Sequence, residues 1–227
     1  LVRGTPYLVF GSFDPQSLAE TVRRTPPNAM EAAHIVHSIA VGLAAAHASS
    51  VVHGDISPES ILVRRRRDGA LAVRLHGFGM AHVFHPGARA YFDPTWRPYV
   101  APEVYGSLHL AGPADIYSLG AVLFLMLTGA PPPETDSSFL GQEGPRPAEG
   151  HPWVPTALDD LTSRCLSSRA AVRPTADALC QELGRIRRAL RTETGLGDTL
   201  PPDEETFIVP QRGWAARFAR FFGRSRS

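Results

Sequence analysis

The sequence predicts an α+β domain that is mainly α, and two long helical patterns carry this prediction. Residues 115–128 are apolar almost all round, which is typical of a helix at the centre of a domain. Residues 30–49 place apolar side chains on one face of an amphipathic helix, at Ile35, Ile39, Leu43 and Ala46. Segments of β type are short, so helices are expected to supply most of the core.

The elements before residue 80 are short. Tyr7–Phe10 is an apolar run that predicts a strand, and Gln16–Arg24 predicts a helix that ends before two prolines. Residues 61–63 and 72–75 are rich in the side chains that strands favour, and Asp68-Gly69 lies between them. Two such runs around an Asp-Gly turn predict a β-hairpin.

The second half of the chain predicts further helices and then a change of character. Gly129 and the prolines after it end the central helix, and two more helices are expected at 156–166 and 174–190. Between Thr192 and Pro210 there are five acidic residues, no basic residue and no periodicity. We therefore divide the chain into a domain (1–190), an acidic flexible linker (191–210) and a basic amphipathic tail (211–227).

Composition limits the classes of function. The chain has 227 residues, 43% of them hydrophobic, and a formal net charge of +1, which gives no reason to expect nucleic acid as a partner. Cys165 and Cys180 have no metal-ligand spacing and fit buried thiols in a reducing compartment. We find neither a signal peptide nor an apolar run of about 18 residues, so we expect a cytoplasmic protein without a membrane span.

Two ordered motifs carry the clearest signal. Residues 52–63 read Val-His-Gly-Asp-Ile-Ser-Pro-Glu-Ser-Ile-Leu-Val, and residues 73–80 read Val-Arg-Leu-His-Gly-Phe-Gly-Met. Together they resemble the catalytic loop and the metal-binding loop of eukaryotic-type protein kinases, a family that includes bacterial Ser/Thr kinases, whose motifs are H-R-D-x-x-P-x-N and D-F-G. Ala101-Pro102-Glu103 is similar to the family's A-P-E motif.

The resemblance covers roughly residues 5–190 and implies the large, C-terminal lobe of a protein kinase. Asp115 matches the residue that holds the catalytic-loop backbone, and Arg173 matches the partner of Glu103. His53 and Phe78 match part of the family's hydrophobic stack. The chain begins at the position of the hinge, so we expect the small lobe, with its phosphate loop and its lysine, to be absent from this chain.

The departures from the family pattern fall mainly on residues that take part in catalysis in the family. Asp55 stands where the family has the base that accepts the substrate hydroxyl's proton, but Ser60 replaces the metal-binding Asn and Gly77 replaces the Asp of D-F-G. Phosphoryl transfer depends on Mg²⁺ held by those two residues. The motifs are therefore degenerate, and we expect neither a bound metal nor a nucleotide. Any residual adenine contact would fall to Phe10, Phe13 and Leu62.

Two functions of different class follow. The first is a pseudokinase, a catalytically impaired kinase-like domain that acts as a binding or scaffolding module in phospho-signalling, with Asp55 as a vestige. The alternative is a Ser/Thr protein kinase that uses ATP and Mg²⁺, with its small lobe upstream of Leu1. A decayed fragment without function is a third possibility.

Weaker signals suggest partners. Thr206 lies in an acidic segment that resembles a phosphothreonine site read by forkhead-associated domains. The tail (211–227) sets arginines beside aromatic residues, as in a helix on an anionic membrane or on a protein partner, although a disordered tail fits as well. His34 and His37 are metal ligands or packed histidines, and Arg64–Arg67 is a phosphate site or a solvated hairpin tip.

Overall fold

The computed structural model describes residues 16–67, 69–78, 95–107, 110–133 and 143–194. Within these ranges the fold is mainly helical with a small antiparallel sheet, so the predicted α+β class is confirmed. The helices are α1 (Leu18–Arg24), α2 (Ala29–Ala48), α3 (Pro102–Ser107), α4 (Gly112–Thr128), α5 (Thr156–Cys165) and α6 (Ala176–Thr194). The strands are β1 (Gln16–Ser17), β2 (Ile61–Arg65) and β3 (Leu71–Leu75).

Helix α4 forms the centre of the domain, as its apolar sequence predicts. Nearly every residue from Ala114 to Leu127 is buried, and the helix packs against both α2 and α5. At Gly120 a Cβ atom would lie 2.6 Å from Cβ of Cys165, so only glycine allows this approach between α4 and α5. Gly129 ends the helix with a φ of 79°, a left-handed conformation that glycine adopts without steric cost.

Helix α2 begins with a capping box. The Asn28 side chain accepts a hydrogen bond from the Glu31 amide, and the Glu31 carboxylate accepts one from the Asn28 amide. The predicted face of Ile35, Ile39 and Leu43 is fully buried, and α6 packs along the helix.

The expectation that no segment is apolar enough to span a membrane needs a correction. Among the described residues, α2 is long and apolar enough to do so, with 20 residues and a mean hydropathy of 1.4. A count of uninterrupted apolar residues does not detect it, because Glu31, His34, His37 and Ser38 interrupt an otherwise apolar helix. In the fold 61% of this segment is buried, and a core helix requires the same composition.

The sheet has the order β1-β2-β3, with both pairs antiparallel. Val63 lies opposite Val73, and both are buried against the helices. The hairpin closes through a hydrogen bond from the Arg66 amide to the Ala70 carbonyl, and Gly69 has a φ of 85°. The sequence did not predict β1, because a strand of two residues leaves no periodicity to detect.

Several element bounds differ from the prediction. Helix α1 begins at Leu18 rather than Gln16, because the Ser17 hydroxyl accepts a hydrogen bond from the Glu20 amide and caps the helix there. Helix α6 begins at Ala176 and continues to Thr194, so the first four residues of the predicted linker (191–210) are helical. The predicted strand at Tyr7–Phe10, the rest of the linker and the tail (211–227) lie outside the described residues.

Candidate functional site

Asp115 holds the segment that resembles the kinase catalytic loop. It lies in the first turn of α4 and is almost completely buried. Its Oδ1 accepts a hydrogen bond from the Gly54 amide at 2.8 Å, and its Oδ2 accepts one from the His53 amide at 2.9 Å. The same Oδ2 lies 2.8 Å from Nε2 of His47, at the end of α2. One carboxylate therefore joins α4, α2 and the loop.

The His53 ring is fixed on three sides. Its Nδ1 accepts a hydrogen bond from the Asp55 amide at 3.2 Å, so Nε2 carries the proton that is donated to the His76 carbonyl at 3.0 Å. The Phe78 ring packs edge-on against it, with 4.6 Å between ring centroids. These contacts require a neutral imidazole, because a proton on Nδ1 would face the Asp55 amide hydrogen.

Burial gives the same result for the charge of this ring. Removal from water lowers the pKa of His53 below its ordinary value of 6.5. The negative charge of Asp115 and the hydrogen bond to the His76 carbonyl act in the opposite direction but are weaker. His53 is therefore a neutral structural ring in the folded protein.

The backbone around Asp55 is ordered, although no catalytic role follows from this alone. Gly54 has a φ of 77°, a left-handed conformation favoured by glycine, and its amide is one of those held by Asp115. The Asp55 amide is held by the His53 ring, while the residue itself is partly exposed. The carboxylate thus stands on a loop whose backbone is held at the amides of Gly54 and Asp55.

Ser60 is engaged with its own loop. Its hydroxyl accepts a hydrogen bond from the Ser57 amide at 3.0 Å and donates one to the Ser57 carbonyl at 3.0 Å. The residue is buried, and its single hydroxyl hydrogen is used within the turn. A Ser hydroxyl so engaged is a poor substitute for the carbonyl oxygen that Asn offers to a metal ion.

Gly77 lies next to Ser60 in the fold. The amide of His76, the residue before it, donates to the Ser60 carbonyl at 3.0 Å, and the His76 ring lies 3.2 Å from the Glu59 carbonyl. Gly77 itself has a φ of 94° and no side chain. The two positions that hold Mg²⁺ in the family pattern are thus close together, and neither residue fits the ion.

Glu103 and Arg173 form a bidentate ion pair. Nη1 and Nη2 of Arg173 lie 2.7 Å and 2.8 Å from the two carboxylate oxygens. The guanidinium also donates to the carbonyls of Pro113 and Ser167 and lies over the Tyr117 ring, with 5.0 Å to the centroid. The Arg173 side chain is 0% exposed and the Glu103 side chain 31% exposed, so the buried member of the pair is the cation.

The remaining predicted site residues separate into two groups. Leu62 is partly exposed on the face of β2 opposite the buried Ile61 and Val63, while Phe10 and Phe13 lie outside the described residues. His34 is buried with Nε2 3.0 Å from the Leu71 carbonyl, and His37 is buried beside Arg187. No cluster that could hold a metal ion is found in the part of the chain that the structure describes, so these histidines are packed residues.

Two contacts that hold the lobe together could not be predicted from the sequence. His47 precedes the loop by only a few residues, but its partner Asp115 is 68 residues away, and local spacing does not reveal such a pair. Arg146 binds Asp159 at 2.6 Å and Asp160 at 2.8 Å, which fixes the segment before α5. The hydrogen bonds that the Arg146 guanidinium donates to Asp160 and Asp159 raise its pKa.

The helical fold around this loop defines a protein-kinase-like lobe, and comparison with known proteins agrees. Residues 4–183 match the family model described as the protein kinase domain. The chain belongs to the protein kinase family. The kinase domain of PknI from Mycobacterium tuberculosis, solved as a double mutant, has the same fold, with a TM-score of 0.59, 23% identity and coverage of 78% of this chain and 64% of that one.

Curated relatives are Ser/Thr protein kinases by name. The chain is 30% identical to the serine/threonine-protein kinase pkn3 of Myxococcus xanthus over 184 residues, which cover 74% of this chain and 34% of the relative. It is 36% identical to PknH of Mycobacterium bovis over 154 residues, which cover 64% and 24%. A calcium and calcium/calmodulin-dependent kinase of Lilium longiflorum is 33% identical, with 66% and 30% covered. The chain thus spans about a third or less of these relatives.

The ion pair of Glu103 and Arg173 should contribute strongly to stability. Glu103→Ala leaves a fully buried guanidinium without its anion, and removing one partner of a buried pair costs about 3–5 kcal/mol. Arg173→Ala should also be costly, whereas Asp55→Ala, on a partly exposed loop residue, should cost little. Denaturant unfolding of the three variants measures this. A loss for Asp55→Ala larger than for either other variant would contradict the assignment.

Acid should destabilise the fold through His53. Because its pKa is lowered in the folded state, the unfolded chain binds a proton below about pH 6.5 that the folded chain does not, so stability falls as the pH falls through that value. His53→Phe keeps a ring against Phe78 but does not titrate. The free energy of unfolding between pH 7.5 and 5.5 should therefore fall more steeply in the wild type. Equal slopes would show that His53 does not titrate differently in the two states.

Proposed function

We propose that this chain is a catalytically impaired protein-kinase-like domain that acts as a binding or scaffolding module in phospho-signalling. The observation that carries the proposal is Gly77, which has no side chain at the position of the metal-binding Asp. Mg²⁺ neutralises the charge between the phosphates in phosphoryl transfer, and the protein must hold it in place. A loop without that carboxylate loses the strongest metal ligand of the site.

Ser60 supports the same proposal. Its hydroxyl is committed to both backbone groups of Ser57, so using it as a metal ligand would break the turn that it stabilises. The residues at the two ligand positions therefore do not fit Mg²⁺, and we derive no catalytic step through the ion. ATP with Mg²⁺ is accordingly not proposed as a cofactor of this chain.

The retained scaffold explains why such a domain would still be useful. Asp115 holds the loop and the Glu103–Arg173 pair holds the helical lobe, and neither interaction involves a metal or a nucleotide. A lobe stabilised in this way can present a constant surface to a protein partner. The chain would thus keep the fold of a kinase without its catalytic chemistry.

An active Ser/Thr protein kinase is the second candidate. Asp55 is present, its backbone amide is held by His53, and the matched relatives are Ser/Thr kinases by name. In this reading the small lobe lies upstream of Leu1, ATP and Mg²⁺ bind between the lobes, and Asp55 accepts the proton of the substrate hydroxyl. The two candidates differ in whether the protein, together with any residues upstream of Leu1, binds ATP in a Mg²⁺-dependent way.

The tail and linker extend the proposal to partners and location. We propose that Thr206, once phosphorylated, is read by a forkhead-associated domain, and that the tail (211–227) places an otherwise cytoplasmic protein at an anionic membrane surface. The first rests on the acidic context of the Thr, and the second on five arginines interleaved with aromatic residues. Both rest on the sequence alone.

Nucleotide should not stabilise the protein in a Mg²⁺-dependent way. A ligand at 100 times its Kd adds about 2.7 kcal/mol to stability, which raises the Tm of a domain of this size by roughly 5–10 °C. We expect no such rise for the full-length protein with millimolar ATP and Mg²⁺. A variant with Ser60→Asn and Gly77→Asp restores both ligand types and is the matched control. A clear Mg²⁺-dependent rise in the wild-type Tm would favour the active kinase.

The tail should retain the protein on anionic vesicles in a salt-sensitive way. Basic residues near an anionic surface contribute about 1 kcal/mol each, and buried aromatic side chains add to this. Deleting residues 211–227 should abolish co-sedimentation with phosphatidylserine vesicles, and Phe218→Ala with Phe221→Ala should weaken it. Equal sedimentation of the full-length and shortened chains would remove the membrane role.

A further inference from the structure

The β2–β3 hairpin carries a concentration of positive charge. Arg64–Arg67 and Arg74 lie within 15 residues that contain one acidic residue, Asp68. Arg64 lies opposite Ala72, and Leu62 lies opposite Arg74, so Arg64 and Arg74 share the face of the hairpin that points away from the buried Val63. We call Arg64, Arg65, Arg66, Arg67 and Arg74 the basic hairpin. Arg65 pairs with Glu31, and Arg64, Arg66 and Arg74 also take part in polar or electrostatic contacts.

Helix α6 runs antiparallel to α2. The segment just before α6 lies near the start of α4, because Arg173 donates to the Pro113 carbonyl. The start of α4 lies in turn against the end of α2, because His47 binds Asp115 and a Cβ atom on Gly112 would lie 3.1 Å from Nδ1 of His47. The beginning of α6 is therefore at the C-terminal end of α2.

The end of α6 consequently lies toward the same end of α2 as the basic hairpin. Arg187 of α6 is 3.0 Å from His37 of α2, and Thr194 is seven residues further along α6, about 10 Å at 1.5 Å per residue. Glu31 lies six residues from His37 toward the N-terminal end of α2, which is the direction in which α6 runs. Glu31 binds Arg65 of the hairpin. Arg188 and Arg191 add positive charge to this end of the molecule.

The chain that continues from this point is acidic. Asp198 is four residues beyond Thr194, and Asp203, Glu204 and Glu205 are 9–11 residues beyond it. An extended chain spans about 3.3 Å per residue, so these carboxylates reach about 13 Å and about 30 Å or more from the end of α6. Their attachment to the same chain keeps them near the hairpin at an effective concentration in the millimolar range.

We infer that the acidic segment 198–205 docks on the basic hairpin of its own chain. The two groups have opposite charge, α6 ends at the same end of α2 as the hairpin, and the short linker would make the encounter intramolecular. Thr206 follows the last of these carboxylates directly, so docking would hold that side chain close to the hairpin arginines and place its phosphorylation under the control of the contact. This inference does not depend on whether the domain is catalytic.

The absence of lysine from the chain allows a site-specific test. All 23 basic residues are arginine, so Arg67→Lys introduces the single side-chain amine. A carbodiimide joins this amine to carboxylates in direct contact, and mass spectrometry identifies the carboxylates. Arg169→Lys is the matched control, because Arg169 is exposed and lies at the opposite end of α6, before Arg173.

In the full-length chain, we expect the amine introduced by Arg67→Lys to couple to Asp198 and to the acids at 203–205, at least fivefold more than the amine introduced by Arg169→Lys. The yield should fall several-fold in 0.5 M NaCl, since exposed charges are screened within about 10 Å even at 0.1 M salt. Adding Asp203→Asn, Glu204→Gln and Glu205→Gln should remove most of the product.

Three outcomes would overturn the inference. The first is coupling from position 67 to Glu31 or Asp68 alone, and the second is equal yields from positions 67 and 169. The third is cross-linking between chains when isotopically light and heavy protein are mixed, because the occupant of the hairpin would then be a second copy.

Discussion

One buried carboxylate organises the candidate site. Asp115 receives hydrogen bonds from two successive loop amides and contacts the His47 ring, so a single side chain of α4 fixes both α2 and the loop. Because Asp115 holds the His53 amide, the His53 ring meets the Asp55 amide and the His76 carbonyl, which brings β3 to the same place. Removal of this carboxylate would leave buried donors without an acceptor, at a cost of about 1–3 kcal/mol for each.

The contacts that stabilise the lobe and those that perform phosphoryl transfer in the family use different atoms. Asp115, His53 and the Arg173 pair act through backbone groups, a neutral ring and a buried guanidinium. Metal binding in the family instead depends on side chains at the positions of Ser60 and Gly77, and neither the carboxylate of Asp115 nor the Arg173 pair bonds to those two side chains. The interactions that hold the lobe together therefore require neither a metal ion nor a nucleotide.

Much of this arrangement was predictable from the sequence. Helix α2 follows from the apolar face of an amphipathic pattern, α4 follows from a segment that is apolar almost all round, and the hairpin follows from its Asp-Gly turn. The pairing of Glu103 with Arg173 followed from ordered family motifs, not from periodicity. Three features were not predictable, because each depends on tertiary neighbours: the contacts of His47, the Ser57–Ser60 turn and the continuation of α6 past residue 190. Strand β1 was missed because two residues carry no pattern, and its pairing with Val63 exists only in the folded chain.

We propose that the loop around Asp55 has a structural role and performs no phosphoryl transfer. The most direct measurement compares transfer of labelled phosphate from ATP, with Mg²⁺ or Mn²⁺, by the full-length wild-type protein and by Asp55→Asn, using autophosphorylation and a generic protein substrate. We expect the same background level of phosphate incorporation for both proteins. Phosphate transfer by the wild type that is lost in Asp55→Asn would contradict it and would identify the chain as an active kinase.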